Sequence, residues 1–296
     1  MKLARYGARG AERPGLIDEA GTLRDLSDVV RDIDASALSP AGLAALRALD
    51  PRTLPEVREP VRYGVPVAGV PNVICIGLNY TDHAEETNAP IPSQPILFNK
   101  HSSALCGPND PVILPPGSTK LDWEVELAFV IGQHCWHVPE ERALDHIAGY
   151  CVLNDISERE YQIEWEGQWT KGKSYPNFAP CGPWLVTSDE VADPQKLDLW
   201  LELNGKRVQT GTTTRMIFSC ATIVSYLSRF MALQPGDIVT TGTPPGVGLG
   251  LRPPAFMKAG DVMRLGITGL GVQEQRVVPY EPSMGEAWAQ GRLPSA

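Results

Sequence analysis

Two glutamates one residue apart, Glu124 and Glu126, stand in the run Asp122-Trp123-Glu124-Val125-Glu126-Leu127-Ala128-Phe129-Val130-Ile131-Gly132. The run reads as a β-strand, because acidic and apolar residues alternate before a continuous apolar stretch. Side chains two apart on a strand share a face. Asp122, Glu124 and Glu126 therefore line one side, and Trp123, Val125 and Leu127 the other. Neighbouring carboxylates repel, and a strand that continues into Ala128-Phe129-Val130-Ile131 is entering a core. Burying that much negative charge is unfavourable without a positive partner. A hard divalent cation meets the need. The competing reading is a solvated strand face that carries an acidic doublet by chance.

A third carboxylate, Asp155, follows the apolar strand 149–154. With Glu124 and Glu126 it would offer three oxygen ligands and leave positions for substrate and water, a set suited to Mg2+ or Mn2+ rather than Zn2+. The alternative for Asp155 is a strand-end or helix-capping aspartate. In Asn79-Tyr80-Thr81-Asp82-His83-Ala84-Glu85-Glu86, Asp82 can cap a short helix that Asn88, Pro90 and Pro92 end. His83 and Glu86 are then three apart on one face. A carboxylate beside a histidine orients the ring and makes it a general base for water; an exposed surface pair is the other reading. Such a short helix between prolines could also serve as a mobile lid over 81–92.

Arg159 and Gln162 follow Asp155 in a helical turn and can bind an anionic, oxygen-rich substrate from one side. Lys173 is a candidate cation for a developing oxyanion, whereas Lys171 reads as a surface lysine. Lys100 ends a strand and can point into the same cleft. The Gly/Pro loop Thr240-Thr241-Gly242-Thr243-Pro244-Pro245-Gly246-Val247-Gly248 lacks the P-loop pattern. Its glycines allow backbone amides to approach a carboxylate ligand, or simply make a turn.

These side chains need a scaffold, and the remaining pattern describes one rich in β-structure. Residues 1–70 read as a small N-terminal α+β unit and linker, with strands near 3–6 and 14–18. A helix is expected to start at Asp25, and another at Pro40 behind the cap Ser39. From residue 71 to 281 strands dominate. Leu197 to Leu203 alternates and runs into Asn204-Gly205, a hairpin signal. Ser219 to Met231 reads as a helix with Ile223, Tyr226, Leu227 and Phe230 on one face. Residues 282–296 read as a poorly ordered tail. The 296 residues carry 43% hydrophobic and 21% charged side chains, as ordinary globular proteins do. The net charge of -9, without a Lys/Arg cluster, argues against nucleic-acid binding. No apolar run is long enough for a membrane span, and the N-terminus lacks an apolar signal core. Six scattered cysteines, none in CxxC, read as the reduced thiols of a cytoplasmic protein.

Several motifs, in order over about residues 72–278, resemble the fumarylacetoacetate hydrolase family. They are Gly77-Leu78-Asn79-Tyr80-x-x-His83-x-x-Glu86, Glu124-x-Glu126, Asn154-Asp155-x-Ser157-x-Arg159-x-x-Gln162, Gln168-Trp169-x-x-x-Lys173-Ser174, Met216-Ile217-Phe218, Pro235-Gly236-Asp237 and Thr241-Gly242-Thr243-Pro244-x-Gly246-Val247-Gly248. The resemblance implies a distorted mixed β-roll, assembled as a homodimer, behind a small N-terminal domain. It implies Mg2+ or Mn2+ on Glu124, Glu126 and Asp155, water activation by His83 and Glu86, and carbonyl polarisation by Lys173. Residues matching Gln162 and Thr243 would contact the substrate, and Tyr80, Lys100 and Arg159 are further candidates to line its site. The chain departs from the family at Tyr175-Pro176-Asn177, where an aspartate is common, and at Glu158, where a small residue is common.

The expected activity is hydrolysis of a C–C bond in a 2,4-dioxo acid, giving pyruvate and a second carboxylic acid. A 2,4-diketo-3-deoxy sugar acid is the expected substrate of the subgroup this chain resembles. Decarboxylation or isomerisation of a 2-oxo acid is the alternative with the same metal, and a non-catalytic metabolite-binding protein the alternative of another class.

Overall fold

The structure, a computed structural model, describes residues 1–58, 60–86 and 90–290. The chain opens with strands β1 (Lys2–Tyr6), β2 (Arg13–Ile17) and β3 (Leu23–Asp25), then helix α1 (Pro40–Arg47). Next come β4 (Val73–Gly77), α2 (Thr81–Glu86), β5 (Ile96–Lys100), β6 (Leu105–Cys106), β7 (Val112–Leu114), β8 (Leu121–Asp122) and β9 (Val125–Ile131). The middle holds α3 (Glu140–Ala143), β10 (Ile147–Asn154), β11 (Ser157–Glu158), α4 (Thr170–Lys173), β12 (Ala179–Thr187), β13 (Asp198–Leu203) and β14 (Lys206–Thr212). The chain closes with α5 (Cys220–Leu227), β15 (Ile238–Thr240), β16 (Val262–Ile267), β17 (Gly271–Pro279) and α6 (Ser283–Ala289).

The main sheet runs β3-β2-β1-β12-β10-β9-β15-β4-β5, with β6 against β12. A second sheet runs β14-β13-β16-β17-β7, and β8 pairs with β11. β15 is parallel to β4 and antiparallel to β9, so the main sheet is mixed. Every side chain of β9 and of β10 is buried. Covering both faces in this way explains why their sequences, Glu126 and Asn154 apart, are apolar rather than alternating. Strand β17 of the second sheet alternates instead, with Gln273, Gln275 and Val277 inward. Among the described residues no helix is long and apolar enough to cross a membrane, and all six cysteines are free and buried.

Local expectations hold where one short signal decides the structure. Ser39 accepts a hydrogen bond from the Gly42 amide and Pro40 opens α1. Asn204 and Gly205 take positive φ values of 50° and 77°, as a type I′ hairpin requires, and join β13 to β14. Other expectations fail. Residues 25–30 form no helix; Leu23–Asp25 is a strand on the edge of the main sheet. The N-terminal strands share that sheet, because β1 pairs with β12. α5 ends at Leu227, so Phe230 falls outside it and is exposed. The expected tail begins with α6, and residues 291–296 lie outside those described.

The acidic strand is broken. Trp123 and Glu124 separate β8 from β9. Their backbones bond outside any ladder: the Asp122 carboxylate accepts from the Trp123 amide, the Asn154 side chain accepts from the Glu124 amide, and Glu124 O accepts from the Asp155 amide. All three acidic side chains are buried, which removes the solvated-face reading.

Candidate metal and catalytic site

β9 and β10 lie side by side with Glu126 opposite Leu153 and Val125 opposite Asn154. This register brings Asp155, just past the end of β10, beside the Glu124 and Glu126 pair. One carboxylate oxygen from each of Glu124, Glu126 and Asp155 lies within 4.8 Å of the others, and all three residues are buried. Cations surround two of the three. Lys173 Nζ lies 2.8 Å from both Glu124 Oε2 and Asp155 Oδ2. Lys100 Nζ lies 2.5 Å from Asp155 Oδ1. Arg159 bridges Glu124 Oε1 at 2.6 Å and Asp122 Oδ2 at 2.8 Å.

Glu126 has no ion pair among the described residues; its Oε2 accepts a hydrogen bond from the Gly242 amide at 3.0 Å. Four buried carboxylates thus face three buried cations. The imbalance is visible in the protonation equilibria. Burial, Asp155 and Glu124 push the Glu126 carboxyl well above its usual range. Burial also disfavours the charged form of Glu124, but Lys173 and Arg159 outweigh it and hold that carboxyl at about 2. Burial lowers the Lys100 ammonium despite Asp155; for Lys173 burial acts the same way, but Asp155 and Glu124 overcome it and raise the ammonium. An unbalanced set of oxygen donors fits a divalent cation, which would supply the missing positive charge.

A small cleft, partly open to solvent, borders this cluster. Glu124, Glu126, His83, Gln162, Lys173 and Thr243 form its polar side. Ile76, Leu78, Phe98 and Trp169 form an apolar wall. Phe98 and Trp169 meet edge to face at 5.2 Å, and Trp169 packs on Gly77, where even a methyl group would come within 2.6 Å of its ring. The histidine–glutamate pair forms as the spacing implies, with His83 Nδ1 3.1 Å from Glu86 Oε2. Residues 87–89, part of the expected lid, lie outside those described.

Other side chains stand elsewhere than expected. Lys100 does not reach the cavity; it is buried behind the cluster, where it also donates to Ile156 O. Tyr80 is wholly buried and does not line the cavity. The Thr243 hydroxyl is engaged internally, donating to Val125 O and accepting from Gln209 Nε2. Arg159 Nη1 donates to Gln162 Oε1, so Gln162 reaches the cavity with its carbonyl oxygen already in use. Glu158 turns away from the cavity and accepts from Ser118 Oγ and the Tyr161 amide, which fixes the π-helical turn Glu160–Glu164 carrying Gln162.

The Gly/Pro loop does present amides to carboxylates, but to the protein's own. Gly242 donates to Glu126, Gly246 to Glu86 at 2.9 Å, and Gly248 to Asp122 at 2.7 Å. Gln209 was not anticipated at the site. On β14 it donates to both Thr243 Oγ1 and Pro244 O and accepts from the Val125 amide, joining the loop to β9. A glutamine in a solvent-facing hairpin strand is unremarkable by type, and its burial was the missing signal.

A sheet-rich α+β fold with a buried acidic triad beside a histidine–glutamate pair defines a class of enzyme scaffold. The profile of the fumarylacetoacetate (FAA) hydrolase C-terminal family matches residues 72–278, and the chain belongs to that family. A Burkholderia orbicola (strain MC0-3) protein, provisionally named a hydrolase, is 59% identical over 277 residues, covering 93% of this chain and 98% of that one. The structure of maleylpyruvate hydrolase from Sphingobium sp. SYK-6, in complex with manganese(II) and pyruvate, superposes with a TM-score of 0.80 at 29% identity, over 95% of this chain and all of the other. The 5-carboxymethyl-2-hydroxymuconate delta-isomerase of Mycobacterium smegmatis gives 0.74 at 30% identity over the same shares. The family's structural neighbours thus include both hydrolases and isomerases.

Proposed function

We propose that this protein is a divalent-metal-dependent hydrolase that cleaves the C3–C4 bond of a 2,4-dioxo acid, releasing pyruvate and a second carboxylic acid. The observation that carries the proposal is Glu126, a buried carboxylate without a cation, in a cavity shared with the His83–Glu86 pair. Glu124, Glu126 and Asp155 would hold Mg2+ or Mn2+. When bound, the ion supplies positive charge for the oxygens of the pyruvyl half and for the enolate charge that develops as the bond breaks.

The chain's own groups would do the rest. Glu86 orients the His83 ring, which takes a proton from a water as that water attacks C4. Lys173 lies beside the triad and offsets the charge on the tetrahedral oxygen. Gln162 lines the acid-binding side, and Arg159 keeps Gln162 and Glu124 in register. The acyl half would rest on Phe98 and Trp169. That wall gives the hydroxyl groups of a sugar-derived acid no specific partner, so the proposal stays with the 2,4-dioxo class.

The isomerase neighbour supports a second reading, since isomerisation uses the same enolate stabilisation without a hydrolytic water. The test is a turnover screen with Mn2+ across acylpyruvates, an oxaloacetate control and unsaturated 2-oxo acids. Pyruvate release from acylpyruvates that depends on His83 is the expected result. Isomerisation that persists in His83→Ala, without hydrolysis of any acylpyruvate, would replace the hydrolase reading.

A further inference from the structure

Asp122 belongs to neither the acidic triad nor the His83–Glu86 pair, yet its partners lead to both. It is wholly buried and does not line the cavity. Its Oδ1 accepts from the Trp123 amide at 2.8 Å and the Gly248 amide at 2.7 Å. Its Oδ2 accepts from Arg159 Nε at 2.8 Å and the Leu249 amide at 3.0 Å. Four donors occupy the carboxylate, which leaves it no free oxygen for a metal or a substrate.

Each donor leads to a different part of the site. Arg159 continues to Glu124 and Gln162. Gly248 and Leu249 belong to the loop whose Gly246 amide holds Glu86, and Glu86 holds His83. That loop has little freedom to sit elsewhere. Gly246 takes φ +102°, a β-carbon on it would lie 1.9 Å from Val208 O, and one on Gly250 would lie 2.7 Å from the Glu86 carboxylate. Trp123, the next residue to Asp122, donates its indole N–H to Gly246 O at 3.0 Å. We propose that Asp122 is a positioning residue: it seats the 246–250 loop so that this loop fixes Glu86 against His83, and it aligns Arg159 with Glu124.

The kinetic side of this proposal rests on the hydrolase reading; the conformational side does not. Asp122→Asn replaces one doubly accepting oxygen with a donor that faces donors. In the Mn2+-loaded protein, amide exchange is expected to rise about tenfold or more in both 246–250 and 81–86 and to stay unchanged elsewhere. Mn2+ affinity should stay within about threefold, while kcat falls about fiftyfold, the usual scale for a lost supporting contact. In a Glu86→Gln background the same substitution should cost less than about threefold, because the contact it supports is already impaired. Independent, multiplying losses would overturn the proposal. So would faster exchange at 246–250 alone, or spread over the whole chain. If Asp122→Asn does not fold, Trp123→Phe loosens the same loop through Gly246 O with every carboxylate in place, and exchange that rises in 246–250 there without rising in 81–86 would equally overturn it. A wild-type protein without turnover would count against the hydrolase reading alone, because the exchange pattern is read without substrate.

Discussion

Glu126 sits on β9, and Glu124 and Asp155 flank the fully buried strands β9 and β10. His83 and Glu86 sit on α2, a six-residue helix whose Glu86 is tied to the rest of the fold by the Gly246 amide. The acidic half is therefore set by the sheet register and by charge, and the histidine half by a loop. Paired buried charges hold each other against large penalties, whereas a short helix with few buried residues is held by individual hydrogen bonds. Damage to the first half should be read in stability as well as activity, and damage to the second in activity alone.

The sharpest test sets two carboxylates of one triad against each other. Asp155→Asn leaves Lys100 and Lys173 buried with impaired partners. Metal-free stability should fall by about 3 kcal/mol or more, as for other broken buried pairs. Glu126→Gln removes the carboxyl that has no cation and that folding forces to keep its proton, while an oxygen remains for the Gly242 amide. Metal-free stability should rise by about 1–2 kcal/mol at neutral pH, because the variant no longer takes up that proton on folding. Both substitutions should cost about a thousandfold or more in turnover, since several kcal/mol of charge stabilisation goes with the metal. Denaturant titration alongside Mn2+ calorimetry reads both; equal destabilisation by the two would mean that Glu126 is paired after all.

On the other half, His83→Ala should lower kcat by about 10²–10⁴-fold, the usual contribution of a general base. Mn2+ affinity and melting temperature should change little. A large loss of metal affinity would show that the two halves are not separable.

How much of this was legible in the sequence follows the same division. The triad was legible because Glu124 and Glu126 are two apart and Asp155 ends an apolar strand; the His83–Glu86 pair was legible because three residues make one helical turn. Each of these signals is local, but that Asp155 meets the glutamate pair is set by the pairing of β9 with β10, which the sequence alone does not report. The hairpin at Asn204-Gly205 and the Ser39 cap are local in the same way. The role of Asp122 depends on Gly248, 126 residues away, and no periodicity reports such a contact. Lys100 was aimed into the cleft because a strand end fixes a position but not the direction in which a long side chain turns. Phe230 matched the helical face by spacing, but α5 had already ended.

The protonation states give a prediction of intermediate size. In the metal-free fold Glu126 is raised well above its ordinary 4.5, so the folded chain keeps a proton that the unfolded chain releases. Its contribution to stability is complete below pH 4.5 and is lost as pH climbs towards the folded value. Glu124, held at about 2, acts in the opposite sense: its contribution is present above pH 4.5 and is lost as pH falls towards 2. A divalent ion competes with the Glu126 proton. Mn2+ at about a hundred times its dissociation constant should add about 2.7 kcal/mol, and a fixed Mn2+ concentration should stabilise more at pH 8 than at pH 5. Melting curves at the two pH values with and without Mn2+ decide this; equal shifts would remove Glu126 from the metal site.

The smallest expected effect concerns Glu86, whose two oxygens serve two different donors. Oε2 faces His83 Nδ1 and Oε1 accepts from the Gly246 amide. A glutamine can satisfy only one of them with its oxygen and must turn its amide group towards the other. Glu86→Gln should therefore leave His83 in place but poorly oriented, and cost about ten- to a hundredfold in kcat, as lost supporting contacts to a functional histidine do. KM and Mn2+ affinity should hold, because neither Glu86 nor the loop amide belongs to the triad. If kcat instead falls as far as in His83→Ala, Glu86 does more than orient the ring, and the loop would be holding a group that takes part in the reaction itself.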